Sequence, residues 1–163
     1  MVLRRADVVI IGSGLAGLMT AEILSAKKNV IIITKTKLGH GNSSMAQGGI
    51  AAAVDSEDDW REHFFDTVVA GGYHNDVEMT KKLVQLGPYM IKKLVELGVQ
   101  FDRDKHGNYA LGMEGAHRKR RILHAGGDAT GKELIEVLMK RIREHVTIFE
   151  DEMALDLLSL IHI

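Results

Sequence analysis

The chain has 163 residues, 45% of them hydrophobic and 26% charged, which suits one globular domain with a single core. Its 21 basic and 22 acidic side chains leave a net charge of −1, so no global field draws it to nucleic acid or to a lipid surface. The absence of cysteine excludes disulfides, thiolate metal sites and cysteine nucleophiles, and no apolar run is long enough to cross a bilayer. Arg4-Arg5 before an apolar run hints at a secretory signal, but Asp7 and the glycines from Gly12 onward break it, so the expected location is the cytoplasm.

Residues 6–11 form a short β-branched apolar run, predicted as a buried parallel strand. Leu15, Leu18, Met19, Ala21 and Leu24 then recur at helical spacing over 15–25, and 29–34 (NVIIIT) reads as a second buried strand. Strand, helix and strand within about thirty residues make a βαβ unit. Residues 35–49 lack a period and predict a long binding loop. A helix is expected from the Ser56–Asp59 region to about residue 70, with Trp60, Phe64, Phe65, Val68 and Val69 inward. A helical pair at 76–86 and 89–97 is expected to split at Gly87-Pro88 and to stop at Gly98. Short extended pieces flank a turn at 102–108. Thr130 with Glu133 predicts a capping box opening a helix to about residue 144, built on Leu134, Val137, Leu138 and Ile142. A strand follows at 146–150, and 153–158 begins like another.

The turn Gly12-Ser13-Gly14-Leu15-Ala16-Gly17 is GxGxxG in the context that gives it meaning, between a strand and a helix. Gly12 permits a tight turn, Gly14 a close approach to a pyrophosphate, and Gly17 close packing of helix on strand. The helix start adds free N–H groups and a partial positive charge. The acid that would hold a ribose after the second strand is missing; Thr34-Lys35 stands there instead, which leaves FAD or a variant pocket open.

Two further segments bear on chemistry. Residues 42–53 (NSSMAQGGIAAA) place small residues where a bulky cofactor would meet backbone, or else form a flexible loop feeding a small-residue strand. Residues 114–131 (EGAHRKRRILHAGGDATG) interleave Glu114, His117 and His124 with Arg118-Lys119-Arg120-Arg121 and end in glycines before a helix. A four-residue basic run can be a solvated turn or a nucleic-acid patch, but the interleaved acid and histidines suit a pocket for a small dicarboxylate better. No spacing of histidines and carboxylates supports a metal site, and His63, His74, His106 and His145 carry no pattern.

Three blocks in order, VVIIGSGLAGL (8–18), SSMAQGGIAAA (43–53) and the segment 114–131, resemble the N-terminal part of the L-aspartate oxidases, within the fumarate reductase/succinate dehydrogenase flavoprotein superfamily. The resemblance implies an α/β, Rossmann-like FAD-binding domain over 1–158, a parallel sheet with packed helices that is incomplete at its C-terminus. It implies oxidation of L-aspartate to iminoaspartate, the first step of NAD biosynthesis, with the flavin reoxidised by oxygen or fumarate. Functional coupling to quinolinate synthase is implied by the family only.

By the same resemblance, Gly12, Ser13, Gly14, Leu15, Ala16 and Gly17 form the FAD pyrophosphate turn. Lys35 is the contact after the second strand, and Asn42, Ser43, Ser44, Met45, Ala46, Gln47, Gly48 and Gly49 form the flavin-binding loop. Glu114 corresponds to a carboxylate that orients the substrate's amino group; His117, Arg121 and His124 are candidates for the pocket wall. Relatives with covalent flavin carry a histidine five residues before Gln47, where this chain has Asn42, so non-covalent FAD is expected. The family's catalytic arginine and capping domain have no counterpart here, which leaves a soluble fumarate reductase-type flavoprotein or an inactive FAD-binding fragment as alternatives. The closing LSLIHI, with 159–163 as a non-native or truncated tail, completes these expectations.

Overall fold

The computed structural model describes residues 3–158; the expected tail at 159–163 lies outside the described residues. The chain forms two compact units where its length alone suggested one. The first holds residues up to Ala46 and again from Leu134 on, and the second holds Gln47–Glu133.

In the first unit, β1 (Val8–Ile11), α1 (Leu15–Ser25) and β2 (Val30–Thr34) form the expected βαβ unit. β1 pairs in parallel with β2, Val8 opposite Val30. β5 (Thr147–Glu150) pairs in parallel with the other edge of β2, Ile31 opposite Thr147, giving the order β1-β2-β5. α1 packs on β1 and β2. α4 (Thr130–Ile142) carries the chain back into this unit and buries Leu134, Ile135, Leu138 and Ile142. Its Arg141 reaches Glu22 of α1 at 2.7 Å.

Val30, Ile31 and Ile32 of the central strand are buried, as a strand covered on both faces should be. β1 differs from expectation. Ile10 is buried but Val9 and Ile11 are 52% and 55% exposed. Successive side chains of a strand point to opposite faces, so one face of β1 is open among the described residues. The segment after Glu150 forms no further strand; residues 151–158 are irregular.

The second unit packs α2 (Trp60–Ala70) against α3 (Val77–Leu97) beside a short antiparallel ribbon of β3 (Ile50–Ala51) and β4 (Ile122–Leu123). The expected break at Gly87-Pro88 does not occur: α3 runs through Pro88. Its buried positions Thr80, Val84, Ile91 and Leu94 keep one stripe across the proline, and Gly87 lies against Ala52. Packing of that stripe outweighs a proline penalty of about 3 kcal/mol.

Two other expectations are corrected. α2 is capped by Asp59, whose carboxylate accepts from Arg61 N at 2.7 Å, and not from Ser56. Its buried residues are His63 and Asp66, while Phe65 and Val69 are exposed. Thr130 does not form the predicted capping box either. It is the first helical residue, buried, and its hydroxyl accepts from Ala125 N at 3.2 Å, while Glu133 N bonds the Ala129 carbonyl.

Candidate functional site

In the first unit the chemistry gathers where β1 and β2 end. Gly12 follows β1 with φ +101°, a left-handed conformation that strains any residue with a Cβ, and its N–H donates to the Ile33 carbonyl at 2.9 Å. A Cβ on Gly17 would overlap the Gly12 carbonyl oxygen and stand 3.3 Å from Ile10 Cγ2, so the helix can lie this close to the strand only with glycine there. Gly14 is the N-cap of α1 and offers no side chain to the free amides. One of them, Leu15 N, donates to Ser43 Oγ at 3.2 Å from the following loop. Ala16 sits exposed in the first turn.

Ser13 and Thr34 brace the turn from below. Their hydroxyls share a hydrogen bond of 2.9 Å, both are buried, and Ser13 Oγ also accepts from Gly39 N at 3.1 Å. Thr34 is therefore committed to the scaffold, and Lys35 is the residue that turns outward beyond β2. A crevice of about 440 Å³ opens here, lined among others by Gly12, Gly14, Lys35, Asn42, Ser43 and Glu152. Sequence reasoning missed Glu152 and its neighbour Glu150, whose carboxylate accepts from Leu38 N at 2.7 Å. The sheet order sets Glu150 opposite Thr34 at the ends of β5 and β2, and Glu152 lines the crevice just beyond.

Ser44 bonds the Gly41 carbonyl at 2.8 Å, and Met45 and Ala46 are exposed. The boundary between the units falls after Ala46, so the expected flavin loop is divided. Gln47 and Gly48, in the second unit, are exposed, and Gly49 leads into β3 against Ile122 and Leu123.

The second unit holds the 114–131 segment. Arg121 is 0% exposed. Its guanidinium forks onto Asp58 (2.8 and 2.9 Å) and reaches Asp66 Oδ2 at 2.6 Å and His117 Nδ1 at 3.2 Å. Burial alone would lower its pKa, but the bonds to Asp58 and Asp66 hold it above its ordinary value. Arg118 pairs with the same Asp66 through Nε and its backbone N–H, and with Glu62 at 2.8 Å. Burial pushes the Asp66 carboxyl up, yet the Arg118 and Arg121 hydrogen bonds win and bring it down to about 2. Two of the four basic residues thus neutralise acids from α2 and the loop before it, a pairing opposite to a phosphate-tracking stripe.

Of the expected pocket-wall residues, Arg121 is enclosed in this ion network and His117 stands at its edge. His63, which the sequence left without a role, is buried beside it, its ring 5.6 Å from that of His117. Burial, with Arg121 and His117 next, pushes its pKa down to about 4. Glu114 behaves differently. Its side chain is 53% exposed and His124 Nε2 stands 3.3 Å from its Oε1. His124 also lines a cavity of about 780 Å³ together with Tyr109, Met113, Lys119 and Arg120. His74, His106 and His145 are exposed. Among the described residues no group of three histidines or carboxylates could hold a metal ion, and no helix is long and apolar enough to cross a membrane.

A parallel sheet with a GxGxxG turn between its first strand and first helix, opening at the strands' C-terminal ends, defines a dinucleotide-binding protein. The chain belongs to the FAD binding domain family, whose model matches residues 7–160. The crevice fits such a group: a glycine turn with no Cβ in the way, a helix start whose N-cap Gly14 has no side chain to cover it, and Lys35 beside it.

Among curated proteins it is 44% identical over 151 residues to the L-aspartate oxidase of Bacillus subtilis, covering 93% of this chain and 28% of that protein. It is 43% identical over 144 residues to the L-aspartate oxidase of Halalkalibacterium halodurans, covering 88% and 28%. Among solved structures it resembles the Mycobacterium smegmatis Sdh1 complex in the apo form, with a TM-score of 0.81, 32% identity, and 90% and 27% of the two chains covered. The chain thus spans a little over a quarter of the length of the relatives it matches.

Proposed function

We propose that this chain serves as the flavin-binding segment of an FAD-dependent L-aspartate oxidase. That enzyme converts L-aspartate to iminoaspartate, the first step of NAD biosynthesis, and returns its electrons to oxygen or fumarate. The observation that carries the reading is the identity of 43–44% to L-aspartate oxidases across about nine-tenths of the chain. A small amino-dicarboxylate substrate, a cytoplasmic location and coupling to quinolinate synthase belong to the same reading.

When bound, FAD supplies the redox chemistry by accepting the hydrogen at the substrate's C2 as hydride. The chain's residues would bind and orient. The α1 amides, the Gly12–Gly17 turn and Lys35 would hold the pyrophosphate and ribose, and the 42–49 loop would line the flavin. Asn42, standing where covalently flavinylated relatives have histidine, leaves the flavin non-covalent. Glu114 would face the substrate ammonium as a charge-assisted partner, and its exposed carboxylate supports that role.

A second reading, a fumarate reductase or succinate dehydrogenase flavoprotein, draws on the likeness to the M. smegmatis Sdh1 complex. The two part at Glu114, because succinate and fumarate carry no ammonium to meet it. The test uses a complete oxidase, made by joining this chain to the remaining length of its B. subtilis relative. Glu114→Gln should lower kcat/KM for L-aspartate about 10- to 100-fold, the cost of losing a hydrogen bond to a charged group. Inhibition by succinate should change little. Unaltered L-aspartate turnover would remove Glu114 from the site.

A further inference from the structure

We propose that His124 is a positioning residue that fixes the Glu114 carboxylate for the substrate ammonium, an inference that rests on the L-aspartate oxidase reading. His124 directly follows β4, whose Leu123 pairs with Ile50 of β3. The peptide group that follows is pinned at both of its polar atoms: the His124 carbonyl accepts from Asp102 N at 2.8 Å, and Ala125 N donates to Thr130 Oγ1 at 3.2 Å.

The ring is seated over two glycines. A Cβ on Gly49 would come within 3.1 Å of His124 Cε1, and one on Gly112 within 3.4 Å of Nε2. From that seat Nε2 stands 3.3 Å from Glu114 Oε1. At that distance the ring stands in ion-pair reach of the carboxylate oxygen and limits where it can lie.

Glu114 itself lies on an exposed loop, where a long, flexible carboxylate would sample many rotamers. His124 restricts it. Because the same ring rests on Gly49, the last residue of the expected flavin loop, it ties the Glu114 carboxylate to the backbone that leads into β3. A side chain that holds another group in place acts on binding geometry, not on the reacting atoms.

The test uses the complete oxidase with His124→Phe, His124→Gln, Glu114→Gln and the double variant Glu114→Gln/His124→Phe. KM and kcat for L-aspartate, the inhibition constant of succinate and the FAD content are measured. His124→Phe should raise the KM for L-aspartate about two- to five-fold, the worth of a part-exposed ion pair. Succinate inhibition and FAD content should hold. His124→Gln, which keeps a donor, should recover most of the loss, and His124→Phe should add nothing on the Glu114→Gln background.

A sensitive Glu114→Gln with a silent His124→Phe overturns the positioning role alone. Equal losses for L-aspartate and succinate, or a His124→Phe effect that persists without Glu114, overturn it too. A silent Glu114→Gln marks the failure of the substrate reading itself and takes the positioning role with it.

Discussion

Arg121 shows how one side chain can be misjudged when its partners are distant in sequence. Within the 114–131 segment it is one of four consecutive basic residues, and nothing local separates a solvated charge from a buried one. Asp58 and Asp66 decide the matter, and they lie 63 and 55 positions away. Both carboxylates are almost fully buried, so Arg121→Met would strand Asp58 and leave Asp66 to Arg118 alone; we expect a loss of roughly 3–5 kcal/mol in a denaturant titration.

His63 and Asp66 set the acid behaviour of the same network. His63 titrates near 4 in the fold and near 6.5 when unfolded, so between those values the unfolded chain binds more protons. Stability should therefore fall as pH drops from about 6.5 towards 4, by on the order of 3 kcal/mol. Asp66, held near 2 against an ordinary 3.8, adds a second decline over that lower window. Thermal midpoints measured against pH should show both limbs, and His63→Phe should abolish the upper one. The GxGxxG turn, by contrast, was legible from sequence because its placement between strand and helix is set locally.

Elements with a clear apolar period were also legible. The βαβ unit, α4 and β5 fall where expected because each is defined by short-range pattern. Their ends and inward faces were less so. α2 turns His63 and Asp66 inward, a choice made by the buried arginine network and not by hydrophobicity. α3 crosses Pro88 because its buried stripe continues on either side, which a local breaker rule cannot register. Its start does follow local chemistry: Asp76 accepts from Met79 N at 2.9 Å, so Asp76→Ala should cost about 1 kcal/mol in thermal or denaturant unfolding.

On the scale of the molecule, the chain carries a small parallel sheet with a crevice at its strand ends in one unit, and Glu114 within 3.3 Å of His124 in the other. Its two-unit division was not legible, because the first unit is completed by residues that return only at Leu134. The attachment of the flavin is tested at this scale. With Asn42 in the place of the histidine found in covalent relatives, acid precipitation of the flavin-loaded complete oxidase should leave the yellow colour in the supernatant. Colour retained in the pellet would contradict it.

The choice between an amino-acid oxidase and a dicarboxylate enzyme is settled most directly by anaerobic mixing of that oxidase with each substrate. L-aspartate should bleach the flavin absorbance while succinate leaves it oxidised. Bleaching by succinate and none by L-aspartate would contradict it.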